Sequence, residues 1–394
     1  MAERNVVLGV TGSIAAYKAV DLASKLTQAG VSVRTVMTES ATKLVTPASF
    51  RAITGRPVST DLFELTNPYA IEHVSLAEVA DLLLIAPATA NVIAKIAVGI
   101  ADDLLTCTAL ATRAPILVAP AMHSAMWENP ATQANVETLR QRGIAFVGPA
   151  EGRLASGGVG LGRFAPVPEI VGEVFAILGR GGDLAGKRIV ISAGGTREPI
   201  DPIRFVGNRS SGKMGFALAE AARDRGALVS LICGATSAPR PSGITVVEVE
   251  TTAAMRDAVG SACANADALI MAAAVADYAP ASPTAGKLKK TEKERSLRLE
   301  RTPDILVGLD GPRVRVGFAA ETDALVDNAR RKLIEKHLDL IVANRIGAAE
   351  SPFGSDVNRV VLIDADTDQE LPRLAKRELA DRILDRVVGF LDRS

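Results

Sequence analysis

The residues of this sequence best suited to chemistry stand in turns that follow apolar runs. In GVTGSIAAYK, residues 9–18, a glycine-bearing turn leads from a β-branched stretch into an amphipathic one. Such a turn leaves backbone N–H groups free beside the positive end of a helix, which suits a phosphate. The third glycine of a dinucleotide fingerprint is missing, and Met37-Thr38 stands where an acid would hold a ribose, so a mononucleotide is favoured over NAD. IAPATANVIAK, residues 85–95, is a second turn after a strand, where Thr89 and Asn91 either face a ligand or cap the helix. PAMHSAMW, residues 120–127, follows a third strand and holds the only Trp and two of the seven Met. Further on, GNRSSGK, residues 207–213, has the G-x-x-x-x-G-K spacing of a P-loop. Met214 stands where Ser or Thr must reach magnesium, and the turn-rich EPIDPIRFV precedes it where a strand is required, so the spacing does not make a P-loop.

These turns need strands and helices to hold them, and the pattern supplies both twice. Residues 5–10, 31–37, 82–86, 116–119 and 144–147 read as strands around a helix at 14–28. Residues 188–193, 228–233, 269–273, 314–318 and 340–342 repeat the scheme around a helix at 213–225. The fold class is α/β, two doubly wound (Rossmann-like) domains. A helix at 168–178 runs into GRGGDLAGK, which reads as a linker and puts the boundary near 183, giving domains 1–183 and 184–394. Residues 279–301 break the pattern with a proline-bearing, charge-dense run, either a flap whose lysines close over phosphates or a solvated hairpin balanced by Glu292, Glu294 and Glu300.

Composition narrows the partners. Forty-five Lys and Arg balance 45 Asp and Glu, so nothing global favours nucleic acid or an anionic membrane. No run reaches the roughly 18 to 20 apolar residues of a membrane span, and a soluble cytoplasmic protein acting on small molecules is expected. Three scattered Cys and three His form neither a disulfide framework nor a zinc site, and leave the metal ligands unknown.

GSIAAYK, His73 within EHVSLAEVADLLLIAPATAN, and PAMHSAMW together resemble the homo-oligomeric flavin-containing cysteine decarboxylases, over residues 5–165. The resemblance implies a flavodoxin-like flavoprotein with FMN at Gly12, Ser13, Ile14, Ala15 and Ala16, at Thr38, and at Ala86, Pro87, Ala88, Thr89 and Asn91. It implies His73 as the catalytic base, and Met122 and His123 at the substrate. A carboxylate beta to a thiol has no electron sink, and a flavin supplies one by oxidising the thiol. Two positions depart from the family. His123 replaces the usual Asn and can still donate to the substrate carboxylate. Ser156, in GRLASGGVGLGR, replaces a cysteine that protonates the product enethiol, and a hydroxyl is a far weaker acid. Segment 157–162 reads either as a substrate-covering flap or as a plain loop.

SAGGTREPIDPIRFVGNRSSGKMG, AAAVADY, GKLKK, TPDI, GFAAET and KLIEKHLDLIVAN resemble, in order over residues 186–390, phosphopantothenate-cysteine ligase. The resemblance implies that CTP activates the carboxylate of phosphopantothenate as an acyl-cytidylate, which the amine of cysteine attacks. Bringing two anions together requires cations. Lys287, with Lys289, is expected at the α-phosphate or acyl oxygen, and Lys332 and Lys336 at the triphosphate with Mg2+. Arg204 and Asn208 are expected at the phosphopantothenate carboxylate and mixed anhydride, and Ala272, Ala273, Ala274, Asp277, Pro303, Asp304, Ile305 and Phe318 around the substrates. Both halves together resemble bifunctional coenzyme A biosynthesis proteins, which implies a homo-oligomer with trimeric decarboxylase halves, in a dodecamer at the largest, and dimeric ligase halves. The rivals are a two-domain nicotinamide oxidoreductase, a flavoprotein half that decarboxylates a peptide C-terminal cysteine or prenylates flavin, and a working ligase fused to an impaired or differently specific FMN-binding module.

Overall fold

Residues 82–86 are apolar at every position, the pattern of a parallel strand covered on both faces, and all five are fully buried. Their alternation divides two cores. Leu82, Leu84 and Ala86 pack with Leu22, Leu26 and Ile170, whereas Leu83 and Ile85 pack with Val92, Leu105 and Leu139. The computed structural model describes residues 4–63, 71–153, 157–289, 296–309, 311–345 and 354–393, in two units, Met1–Leu178 and Gly179–Ser394.

In the first unit β1 (Asn5–Val10) leads through a turn into α1 (Ala16–Gln28) and β2 (Ser32–Met37). Short helices α2 (Glu39–Thr42) and α3 (Pro47–Thr54), then β3 (Val58–Ser59) and α4 (Glu72–Val79), precede β4 (Leu82–Ala88). α5 (Ala90–Val98), α6 (Leu104–Ala111), β5 (Ile116–Pro120), α7 (Ser124–Trp127), α8 (Pro130–Gln141) and β6 (Ala145–Phe146) follow. The hairpin β7 (Ala150–Arg153) and β8 (Val159–Arg163) and then α9 (Val167–Leu178) end the unit. The sheet runs β3-β2-β1-β4-β5-β6, and every pairing is parallel. Its order reverses between β1 and β4, which opens a crevice at their carboxyl ends. The expected helix at 14–28 starts at Ala16, because residues 13–15 form the turn. Leu84→Ala is expected to cost about 2–5 kcal/mol, read as a lower midpoint in urea.

The second unit repeats the scheme. β9 (Arg188–Ala193), a hairpin of β10 (Arg197–Pro199) and β11 (Phe205–Gly207), α10 (Lys213–Asp224), β12 (Leu228–Cys233), β13 (Thr245–Glu248) and α11 (Thr252–Cys263) lead to β14 (Ala268–Met271). A second hairpin, β15 (Tyr278–Pro280) and β16 (Leu299–Arg301), precedes β17 (Val314–Glu321), α12 (Leu325–Glu335) and β18 (Leu340–Arg345). β19 (Val357–Asn358), β20 (Val361–Ile363), β21 (Asp368–Glu370), β22 (Leu374–Ala375) and α13 (Lys376–Asp392) complete it. The sheet order is β13-β12-β9-β14-β17-β18-β20-β21, antiparallel only in its last two pairings. Ile189 and Ile191 pack with α10 and α13, and Val190 packs with α11 and α12.

GRGGDLAGK, read above as a linker, is instead packed within this unit. Leu184 is fully buried, its N–H donates to Arg225 O at 3.0 Å, and Asp183 pairs with the Arg225 guanidinium at 2.5 Å. Its glycines permit tight turns around one apolar anchor, and glycine content alone does not distinguish that use from a flexible one.

Candidate active sites

In the first unit hydroxyl groups gather the turns after β1, β4 and β5. Thr11, fully buried, donates to Pro87 O at 2.7 Å and accepts from Thr89 N at 3.0 Å. Ser13 donates to Ala121 O at 2.9 Å. The expected FMN residues of the two turns, and Met122 and His123, are thereby brought to one edge of the sheet. Thr38 joins them, its N–H donating to Val10 O at 3.0 Å while its hydroxyl caps α2. A Cβ on Gly12 would lie 2.4 Å from the Ser40 Cβ. Gly12→Ala is therefore expected to displace the turn and lower the flavin absorbance retained per mole of purified protein.

Several features fit a phosphorylated flavin. Among the described residues the backbone N–H groups of Gly12 and Ile14 find no partner, which leaves two donors ahead of α1 available to an anion. Ala86, Pro87 and Ala88 are buried, and the carbonyls of Pro87 and Ala88 already accept from Thr11 and from Ala121 N. Thr89 accepts from Val92 N at 3.4 Å as the cap of α5, and Asn91 and Ile14 are exposed. His73 lies near the start of α4, which the Ser59 hydroxyl holds at the end of β3 by donating to Glu72 Oε1 at 2.8 Å. The Nδ1 of His73 is buried with no hydrogen-bond partner. Buried side-chain atoms of Ser32, Arg34, Thr35 and Ser124 are likewise unpartnered among the described residues, and within that group the imidazole is the one suited to moving a proton.

His123 caps α7, its Nδ1 accepting from Ala125 N at 3.2 Å, which leaves Nε2 as the donor toward any substrate. Segment 157–162 is not a plain loop, since it runs into β8 and pairs there with β7. Met122 N donates to Gly162 O at 2.9 Å, and a Cβ on Gly162 would lie 2.4 Å from Met122 O. Ser156 falls outside the described residues.

In the second unit a cavity of about 710 Å³ opens at the carboxyl ends of β14 and β17, within the size range of small-molecule sites. Asn208, Ala272, Ala273, Ala274, Asp277, Pro303, Asp304, Ile305, Phe318, Lys332 and Lys336 all line it. Asn208 donates its side-chain N–H to Val275 O at 2.7 Å, leaving its Oδ1 to accept. Lys332 pairs with Glu321 at 2.6 Å, and Lys336 with Asp304 at 2.8 Å. Burial opposes ionisation of Asp304, but Lys336 and the N–H groups of Leu306 and Val307 outweigh it and hold the carboxyl below the usual range. Arg204, Lys287 and Lys289 do not line the cavity. Arg204 donates to Leu288 O at 3.2 Å, which sets it against the backbone between the two lysines.

Sequence reasoning missed the groups that hold this loop cluster. Buried Thr196 accepts from Ala276 N at 2.9 Å and contacts the Thr252 hydroxyl at 3.1 Å, which donates to buried Glu198 at 2.7 Å. Lys376 also lines the cavity. Burial, with the charge of Lys213, pushes its ammonium below the usual lysine range.

The flavoprotein family model matches residues 1–179, and that of the DNA/pantothenate metabolism flavoprotein C-terminal domain matches residues 184–391. The chain is similar to the coenzyme A biosynthesis bifunctional protein CoaBC of Bacillus subtilis (strain 168), 46% identical over 394 residues, covering 98% of this chain and 97% of that one. The protein of the same name from Escherichia coli (strain K12) is 42% identical over 399 residues, covering 100% and 98%. A crystal structure of the C-terminal domain of a CoaBC protein is 40% identical with a TM-score of 0.46, covering 54% of this chain and all of that one. The chain belongs to the bifunctional coenzyme A biosynthesis proteins, enzymes that carry a flavoprotein decarboxylase part and a ligase part in one polypeptide.

Proposed function

We propose that, in the cytoplasm, the half beyond residue 183 joins 4'-phosphopantothenate to cysteine with CTP, and that the half before it decarboxylates the product to 4'-phosphopantetheine with FMN. The observation that carries the ligase reading is the cavity, where chain segments from Asn208 to Lys336 converge. A carboxylate oxygen of phosphopantothenate attacks the α-phosphorus of CTP, the bond to the bridging oxygen breaks, and pyrophosphate leaves. The amine of cysteine then attacks the acyl carbon and loses a proton, and CMP leaves with the former carboxylate oxygen. Lys332 and Lys336 exchange Glu321 and Asp304 for the triphosphate, and Lys287 and Lys289 neutralise charge at the α-phosphate. Arg204 and Asn208 orient the carboxylate. Among the described residues no cluster of three potential metal ligands is present, so in this reading Mg2+ arrives on the triphosphate.

In the other half FMN, when bound, would take two electrons from the substrate thiol, creating the electron sink that loss of carbon dioxide requires, and return them to the resulting enethiol, so that the cycle is redox-neutral. The Gly12 and Ile14 amides hold its phosphate, His73 Nδ1 moves the proton, and His123 Nε2 orients the carboxylate. An oligomer fits the exposed apolar side chains Ile203, Phe205 and Tyr278 on the hairpins of the second unit and Val98 and Leu110 in the first. Pairing of the ligase halves and trimers of the decarboxylase halves are assigned to these surfaces, and a native mass of the intact chain tests that assignment.

The test of function is incubation with phosphopantothenate, cysteine, CTP and Mg2+, followed by mass spectrometry. Phosphopantetheine with CMP supports both halves. Accumulation of phosphopantothenoylcysteine leaves the ligase alone standing, accumulation of its decarboxylated enethiol leaves the ligase and a decarboxylase that stops before the reduction, with Ser156 the first suspect, and absence of CMP overturns the ligase reading.

A further inference from the structure

Asp201 lies in the turn between β10 and β11, with no exposed side-chain surface. One carboxylate oxygen accepts from Ile203 N at 2.9 Å and Arg204 N at 2.8 Å. The other accepts from Leu288 N at 3.2 Å and faces the Arg204 guanidinium at 3.5 Å. Arg204 returns to the same flap residue by donating to Leu288 O. A second grip lies four residues earlier, where Thr284 N donates to Ile200 O at 3.0 Å. The arm of the β15–β16 hairpin is thus bound at two points to the turn that leads directly into Asn208.

Lys287 and Lys289 flank Leu288 and are themselves exposed. An exposed lysine has about 2 kcal/mol of side-chain entropy to lose and no reason to stand in one place. What fixes its position is its backbone, and the nearest fixed backbone atoms are the N–H and C=O of Leu288. We propose that Asp201 is a positioning residue for ligation, docking Leu288 so that Lys287 and Lys289 stand beside Arg204 at the mouth of the substrate cavity. This rests on the ligase reading above. A carboxylate is the group the site requires, because every partner around it is a donor. Asparagine, of nearly the same shape, would present its own N–H groups to Leu288 N or to the backbone of the turn.

The test is Asp201→Asn in the full chain, alone and combined with Lys287→Ala. Asp201→Asn is expected to lower kcat for CMP formation by about 100-fold, the scale of a misplacement near 1 Å. In the Lys287→Ala background it should cost clearly less than in the wild type, because part of its effect runs through that lysine and the rest through Lys289 and Arg204. Amide exchange at Leu288 should speed up in Asp201→Asn, while decarboxylation of supplied phosphopantothenoylcysteine stays at the wild-type rate. Multiplicative losses in the double variant, or unchanged exchange at Leu288, would overturn the proposal. Should wild-type protein release no CMP, the ligase reading fails, and exchange at Leu288 still decides whether Asp201 docks the arm.

Discussion

His73→Asn should abolish decarboxylation, by about 10²–10⁴-fold if the imidazole moves a proton in the slow step, while CMP release is unchanged. The expectation rests on the buried, unpartnered Nδ1. Leaving such an atom unsatisfied costs about 1–3 kcal/mol, so a histidine retained only for packing would be a poor choice at that position. Its replacement should leave the thermal midpoint level or raise it, and flavin absorbance should persist. A structural histidine gives the opposite pair of results, with lower stability and activity scaled to the folded fraction. The two readings separate in one preparation when supplied phosphopantothenoylcysteine is followed alongside a thermal melt.

Lys287→Ala should lower ligation by about 10²–10³-fold, the range for removing one preorganised group that meets developing charge. The decarboxylase half should not respond. Lys287 has no acidic partner among the salt bridges of the described residues, unlike Lys213, Lys332 and Lys336. Among the described residues no ion pair has to break before it meets substrate. Lys287→Arg keeps the charge but spreads it over a planar fork and should recover only part of the rate. Loss confined to the KM for CTP, with kcat intact, would place the lysine in ground-state binding instead.

The legible parts of this chain are those with a repeating signature. Continuous apolar runs marked the strands, and the turns after them, glycine-bearing at 12–15 and proline-bearing at 86–91, marked the carboxyl edge, whereas 272–274 came from the resemblance. Order among the strands has no such signature, and the polar ties depend on order. Thr11 meets Pro87 across 76 residues, Ser13 meets Ala121 across 108, and Thr196 meets Ala276 across 80. A lone Ser or Thr in a turn looks the same whether it binds ligand or braces a neighbouring loop. Asp201 was passed over for the same reason, sitting in a run notable only for its prolines. Leu184 shows the converse, a single apolar residue whose burial outweighs the four glycines around it.

The Ser13 hydroxyl, donated to Ala121 O, ties the turn proposed for the flavin phosphate to the loop carrying Met122 and His123. Under that proposal ligands at the two are coupled. Any ordering that a phosphate imposes on the turn is felt at the loop, and thermodynamic reciprocity requires a substrate that stiffens the loop to tighten the turn by the same factor. Retention of the flavin through turnover is, in this arrangement, partly a property of what occupies the neighbouring site.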